Sequence, residues 1–369
     1  MRVPRPLLSG KRRVFNLLRL EQPISRAQIA AKCALTRPAV SGIIDEMIRE
    51  GLVEEVGRGN SSGGKPPRLL ALVKGARCAI GIELGDEFLI HGVLCDFSGN
   101  ILAIREMPYT NIFESILEVV AALVHSLATA VDPDRLAGVG IAVSGIVDVA
   151  ENEVVGASTL DICRRNLAKR VEELTGVPVL LEKRPNAAAL AESLFGAGRE
   201  FQNLLYITSG LGVGAGVVLD GEIYRGVSGR AGEIGQMQLD NGKTLEECAR
   251  PSAIEEAFSR KKGCKASFDE VLEAYRIGDP DATALIGGNA QYLVRAAQTA
   301  ADLFDPEAVI LGGRALEFGE EYFEAFVKLF HSRSTQFSTG GSCEVRQSHF
   351  GRLGVAVGGA QVILDRLIV

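Results

Sequence analysis

The run Glu182-Lys183-Arg184-Pro185-Asn186 sets two cations between a carboxylate and a carboxamide. Arg184 offers a planar fork of donors suited to carboxylate or phosphate oxygens, and Lys183 adds a second positive charge. Arg184 cannot take a proton from a hydroxyl, because a guanidinium stays protonated and has no acceptor. A second run carries Gly210, Gly212, Gly214 and Gly216. Phosphoryl transfer needs phosphate cradles, a metal and a base, and a glycine turn is one way to build a cradle. Glycines also let a tight strand-to-strand turn pass close to its neighbours. That fold-keeping role is the one expected of these four, as a degenerate nucleotide loop.

Short apolar strands alternate with helical patterns around these runs. Ala79–Glu83, Phe88–Cys95 and Ile101–Met107 read as strands joined by turns at Gly85-Asp86 and Ser98-Gly99-Asn100. Ile116, Val120, Leu123, Val124 and Leu127 share one helical face. Gly138–Val143 and Val177–Leu181 read as buried strands with a helix between them. The opening pattern then recurs: strand Leu204–Thr208, a glycine turn, strand Ala215–Leu219 and an Asp220-Gly221 hairpin turn. Two such halves predict a two-lobed α/β body with a cleft between the glycine turns.

The first 75 residues differ in kind. They hold 14 Lys and Arg against 6 Asp and Glu, whereas the rest of the chain holds 26 against 40. A basic head on an acidic body suits one end that meets phosphate and one that does not. Val14, Leu17 and Leu18 mark a first helix. Ser25-Arg26-Ala27-Gln28 is a capping box for a short second one. Thr36 caps a third, with Pro38 tolerated in its first turn and an apolar stripe through Val40, Ile43, Ile44, Met47 and Ile48. Helix, short helix, tight turn and longer helix is the helix-turn-helix order. Two short strands around a Gly/Ser loop then make a wing whose basic tip could enter a narrow minor groove. The expected DNA-facing residues are Ser25, Thr36, Arg37, Ser41, Arg58, Lys65 and Arg68. The domains expected are a winged helix-turn-helix over 1–75 and the two-lobed body over 76–369.

The 369 residues, 47% hydrophobic with 42 glycines, exceed one compact core. No apolar run is long and glycine-free enough to span a bilayer. Seven scattered cysteines without a C-x-x-C pair read as reduced thiols. A cytoplasmic protein with no membrane partner, no cofactor and no metal site is therefore expected.

The run from Ile207 through Gly216, Asp220-Gly221-Glu222-Ile223-Tyr224-Arg225-Gly226 and Ala231-Gly232-Glu233-Ile234-Gly235-Gln236 resembles the signature of the ROK family of repressors, open reading frames and sugar kinases. The head and the Gly63-Gly64-Lys65-Pro66-Pro67 wing resemble its xylose- and N-acetylglucosamine-type repressor branch. The resemblance covers nearly the whole chain. It implies a ribonuclease-H-like, actin-type body and a homodimer or homotetramer.

The resemblance also shows where this chain departs. The family's first phosphate motif resembles D-x-G-G-T, but here Glu83-Leu84-Gly85-Asp86-Glu87 brings two extra acids. Its base lies in N-D-x-N, which here reads Lys183-Arg184-Pro185-Asn186. The zinc-binding stretch is similar to G-H followed by C-x-C-G-x-x-G-C, but Gln236 replaces the His and only Cys248 remains. By the same resemblance the effector-binding positions are Thr159, Lys183, Arg184, Asn186, Glu233 and Gln236. The Lys-Arg pair makes an anionic sugar derivative the expected effector, unless Arg184 pairs with Glu233 or Glu83 and closes the cleft. The function expected is a sugar-responsive transcriptional repressor that binds a double-stranded DNA operator and lacks kinase activity. A sugar kinase with a regulatory head and a protein-docking regulator without a small ligand are the alternatives.

Overall fold

The computed structural model describes residues 9–60, 66–85, 88–156, 159–210, 212–332 and 343–368. The head begins with α1 (Gly10–Leu20), capped by the Ser9 hydroxyl on the Arg12 amide. A two-residue strand β1 (Ile24–Ser25) leads into α2 (Arg26–Lys32), and Thr36 caps α3 (Arg37–Arg49). Gly51, at φ 70°, turns the chain out of α3. The wing strands β2 (Val53–Arg58) and β3 (Arg68–Leu72) pair antiparallel, and β1 adds to β3 through Ile24 and Leu70. Two residues are too few for periodicity to reveal, so β1 escaped the sequence reading.

The first lobe holds β4 (Cys78–Leu84), β5 (Leu89–Asp96), β6 (Ile101–Pro108), α4 (Phe113–Ala128) and β7 (Leu136–Val143). A small hairpin, β8 (Ile146–Asp148) and β9 (Glu153–Gly156), precedes α5 (Leu167–Thr175), β10 (Val179–Lys183) and α6 (Arg184–Phe195). The second lobe runs β11 (Leu204–Ser209), β12 (Val213–Leu219), β13 (Glu222–Ile223), α7 (Leu245–Ala249), α8 (Pro251–Lys262), α9 (Phe268–Arg276) and α10 (Pro280–Phe304). It closes with β14 (Ala308–Gly313), α11 (Glu320–Ser332) and β15 (Glu344–Gln347), after which α12 (Gly354–Arg366) returns to pack on the first lobe's sheet.

The two sheets share one design. Their orders are β6-β5-β4-β7-β10 and β13-β12-β11-β14-β15. Each has its first strand in the middle, two antiparallel neighbours on one side and two parallel ones on the other. Asp220 and Gly221, at φ 54° and 74°, make the tight β12–β13 turn that the sequence predicts.

Helices α6 and α12 pack on each other between the sheets, α12 against β4 and β7 and α6 against β12. Backbone contact makes this possible. A methyl group on Gly81 or Gly140 would overlap the carbonyls of Ala356 and Gly359 in α12, and one on Gly216 would overlap the Pro185 carbonyl in α6.

The core of the head is continuous with that of the body. Val14, Phe15 and Leu18 of α1 belong to one buried cluster with Phe97, Val357, Ala360 and Leu364 of the body. Phe15 meets Phe97 edge-on, with ring centroids 4.9 Å apart. Cys33, Cys78, Cys95 and Cys343 are buried free thiols. Burial, with Asp96 nearby, pushes Cys95 up to about 12, so it holds its proton at neutral pH. Among the described residues no helix is long and apolar enough to cross a membrane.

Candidate functional site

The cleft cluster forms where β10 runs into α6. Glu182 is 2% exposed and Lys183 3%. Lys183 Nζ donates to the Ala231 carbonyl at 2.6 Å and to Glu233 Oε1 at 2.9 Å. Arg184, at the first turn of α6, donates to buried Glu83 on β4 and, at 3.2 Å, to the Ser144 hydroxyl. Glu182 Oε1 accepts from its neighbour's amide and from Asn186 Nδ2, both at 2.9 Å. Its Oε2 accepts from Arg225, whose NH2 lies at 2.6 Å. Three carboxylates (Glu83, Glu182, Glu233) thus face three cations (Lys183, Arg184, Arg225): Lys183–Glu233 and Glu182–Arg225 join β10 of the first lobe to the second, and Arg184–Glu83 joins α6 to β4.

The expected effector positions come from both lobes. Lys183, Arg184, Asn186 and Glu233 come together, and Gln236 stands exposed in the same short 3-10 turn that Glu233 opens. Asn186 is 1% exposed, with its amide committed to Glu182. Thr159 is exposed in a network on the first lobe, where its carbonyl accepts from Asn111 and Asp161 closes the same loop. Lys183 and Arg184 are not surplus positive charges: each already holds a carboxylate, which removes the premise for an anionic effector. Of the two extra acids, Asp86 and Glu87 lie outside the described residues.

The glycine turn between β11 and β12 meets a partner that the sequence reading missed. Glu246 Oε2 accepts from the Val213 amide at 3.0 Å and lies against Gly212. A capping box of Thr244 and Glu247 starts α7 and thereby aims Glu246 at the turn. Gly214 and Gly216 face Pro185 and Ala189 of α6, whereas a methyl on Gly210 would meet nothing within 4 Å. Gly216→Ala should therefore cost at least about 2 kcal/mol of stability with no ligand present, by overpacking. Gly210→Ala should cost less than about 1 kcal/mol. Urea melts of both variants check this.

In the head, Arg37 is exposed and Ser41 half-buried one turn later on the same face of α3. Arg26 bridges Asp45 at 2.9 Å and Glu55 at 3.2 Å, which neutralises acids beside that face. Arg58 is exposed on the wing without an ion pair among the described residues, and Arg68 pairs with Glu55. Lys65 lies outside the described residues. Thr36 Oγ1 accepts from the Ala39 amide. Ser25 is a correction: it is 4% exposed and its hydroxyl is committed to Gln28, so it caps α2 and cannot reach a duplex.

The ROK family model matches residues 79–366, and a winged helix-turn-helix DNA-binding model matches residues 11–54. The chain belongs to the ROK family. Among ROK proteins it is 28% identical to the xylose repressor of Bacillus subtilis (strain 168), over 94% of this chain and 92% of that protein. A ROK family glucokinase from Streptomyces griseus, solved with glucose and AMPPNP, is 26% identical. It aligns at TM-score 0.70 over 77% of this chain and 98% of its own. A ROK family transcriptional regulator, a homologue of the Escherichia coli MLC protein, aligns over 97% of both chains at TM-score 0.81. At 23% identity that second likeness speaks for the ROK fold with its head attached. Sequence and structure agree here on a two-lobed α/β body behind a winged helix-turn-helix.

Proposed function

We propose that the chain is a DNA-binding transcriptional repressor of carbohydrate-metabolism genes whose cleft senses a sugar. The observation that carries this reading is the continuous packing of a winged helix-turn-helix onto a kinase-like body whose base position is an arginine. The likeness to a protein named xylose repressor along nearly the full chain supports it. The interface we propose uses the exposed start of α3, with Arg37 and Ser41 toward base edges, Thr36 and the helix N-terminus toward phosphate, and Arg58 and Arg68 on the wing strands, with Lys65 of the intervening sequence a further contact. A homodimer would present two such heads to half-sites about 34–36 Å apart, one helical turn.

We infer further that the body does not transfer phosphoryl groups. Arg184 has no lone pair for a hydroxyl proton, and its guanidinium is paired with Glu83. The Glu246 carboxylate against Gly212 would repel a phosphate from the glycine turn. The balance of three carboxylates and three cations favours a neutral sugar over the anionic derivative first expected. Thr159, Gln236 and the second oxygen of Glu233 are its proposed hydrogen-bond partners, with Lys183, Arg184 and Asn186 holding the frame.

Fluorescence anisotropy with genomic fragments tests the DNA reading. Log affinity should fall linearly with log salt, with a slope on the order of −5 if some six phosphates are neutralised. Arg37→Ala should lose about 1–3 kcal/mol on the preferred fragment and less on random duplex. A chain that binds all duplexes alike would sink the repressor reading.

A further inference from the structure

We propose that Arg12 of the head reads the angle between the two lobes and passes it to the DNA-binding helices, an inference that rests on the cleft being the sensor. Its guanidinium donates from NH2 to Asp365 Oδ2 at 2.9 Å and from NH1 to Glu222 Oε1 at 3.1 Å. Asp365 lies in the last turn of α12, which packs on the first lobe through β4 and β7. Glu222 begins β13, the outer strand of the second lobe's sheet. One side chain of the head therefore holds both lobes, and it satisfies both carboxylates at one lobe angle only.

The other end of the connection lies in the cleft. Three residues beyond Glu222, Arg225 grips Glu182, and Glu182 also binds the backbone and Asn186 side chain at the start of α6. A shift of the cleft that moves Arg225 carries β13 and Glu222 with it. A cavity of about 180 Å³ lies along this line, walled by Arg12, Glu182, Glu222, Arg225 and Asp365. It leaves these side chains room to change partners as the lobes turn. Arg12, Phe15 and Arg19 share one face of α1 at spacings of three and four residues. Phe15 and Arg19 hold that helix on the body while Arg12 samples the second lobe. The bistable element is the lobe angle, and head and cleft both bias it.

Hydrogen exchange of the full chain tests this without any sugar. Glu222→Gln should speed exchange of the α1 amides about 2- to 5-fold, the range for a partly exposed ion pair. Arg225→Met, in the cleft wall, should speed the same amides although it touches none of them. The double variant should match the larger single effect, because both changes cut one connection. Arg225→Lys, which keeps the charge and loses the fork, replaces Arg225→Met should the latter not fold. Unchanged α1 exchange in the Arg225 variant, or single effects that multiply in the double, would overturn the proposal. Failure of the sensor reading has a separate signature: DNA binding indifferent to every sugar.

Discussion

Arg19→Ala should lower the stability of the chain by about 3–5 kcal/mol, the range for breaking a buried ion pair by removing one partner. The Arg19 side chain is 1% exposed and donates to Asp365 Oδ1 at 2.9 Å. Its guanidinium also lies over the rings of Phe15, Phe97 and Phe195, 4.6 Å from the nearest centroid. Desolvation by burial pulls its pKa below the usual arginine range, and Asp365 pushes back. An arginine so placed remains a cation that water cannot reach. Truncation leaves Asp365 to Arg12 alone and opens a hole beside Phe15. Urea melts followed by probes in the head and in the body check this. The head signal should move to lower urea first, because α1 is its mooring. Arg19→Lys should recover only part of the loss, since one ammonium cannot reproduce the fork or stack on the rings.

Arg184→Ala should cost a similar 3–5 kcal/mol, because Glu83, with its side chain 8% exposed, would lose its guanidinium partner. This outcome separates two roles. An arginine kept to grip an anionic ligand would be free in the empty cleft, and its removal would leave stability unchanged within about 0.5 kcal/mol. An arginine that braces β4 against α6 is missed at once. Arg184→Asp should be worse than Arg184→Ala, because it sets a carboxylate beside Glu83, and it should not create ATP-dependent phosphorylation of any hexose. Stability curves and a coupled ADP assay report the two effects independently.

Much of the architecture was legible because it is local. The β4–β5 and β11–β12 strand pairs, the Asp220-Gly221 turn, the Ser25–Gln28 box and the Thr36 cap are each set by residues within a few positions, and all stand where the pattern put them. The cleft was legible only as a list of positions. Whether Lys183 and Arg184 face a ligand or a carboxylate depends on Glu83 and Glu233, which lie 101 and 50 residues away. Glu246 was hidden for the same reason, reaching the glycine turn from α7, 33 residues beyond Val213. The head's surplus of positive charge overstated what is open to DNA. Arg12 and Arg19 face the body, Lys11 pairs with Glu46 and Glu50, and Arg13 donates to the Cys33 carbonyl. The spacing of Arg12, Phe15 and Arg19 was the available signal for this mooring, since a cation-aromatic-cation stripe on one helical face suits a protein surface as well as a phosphate one.

That a sugar-sensing cleft governs the head can be tested by anisotropy titrations of the preferred DNA fragment at fixed salt. The titrations use a panel of neutral sugars, phosphosugars and sugar acids. One neutral sugar should change the affinity at least about tenfold, a coupling free energy near 1.4 kcal/mol, and phosphosugars should change it less. DNA affinity indifferent to the whole panel, in a chain that consumes ATP with one of those sugars, would contradict it.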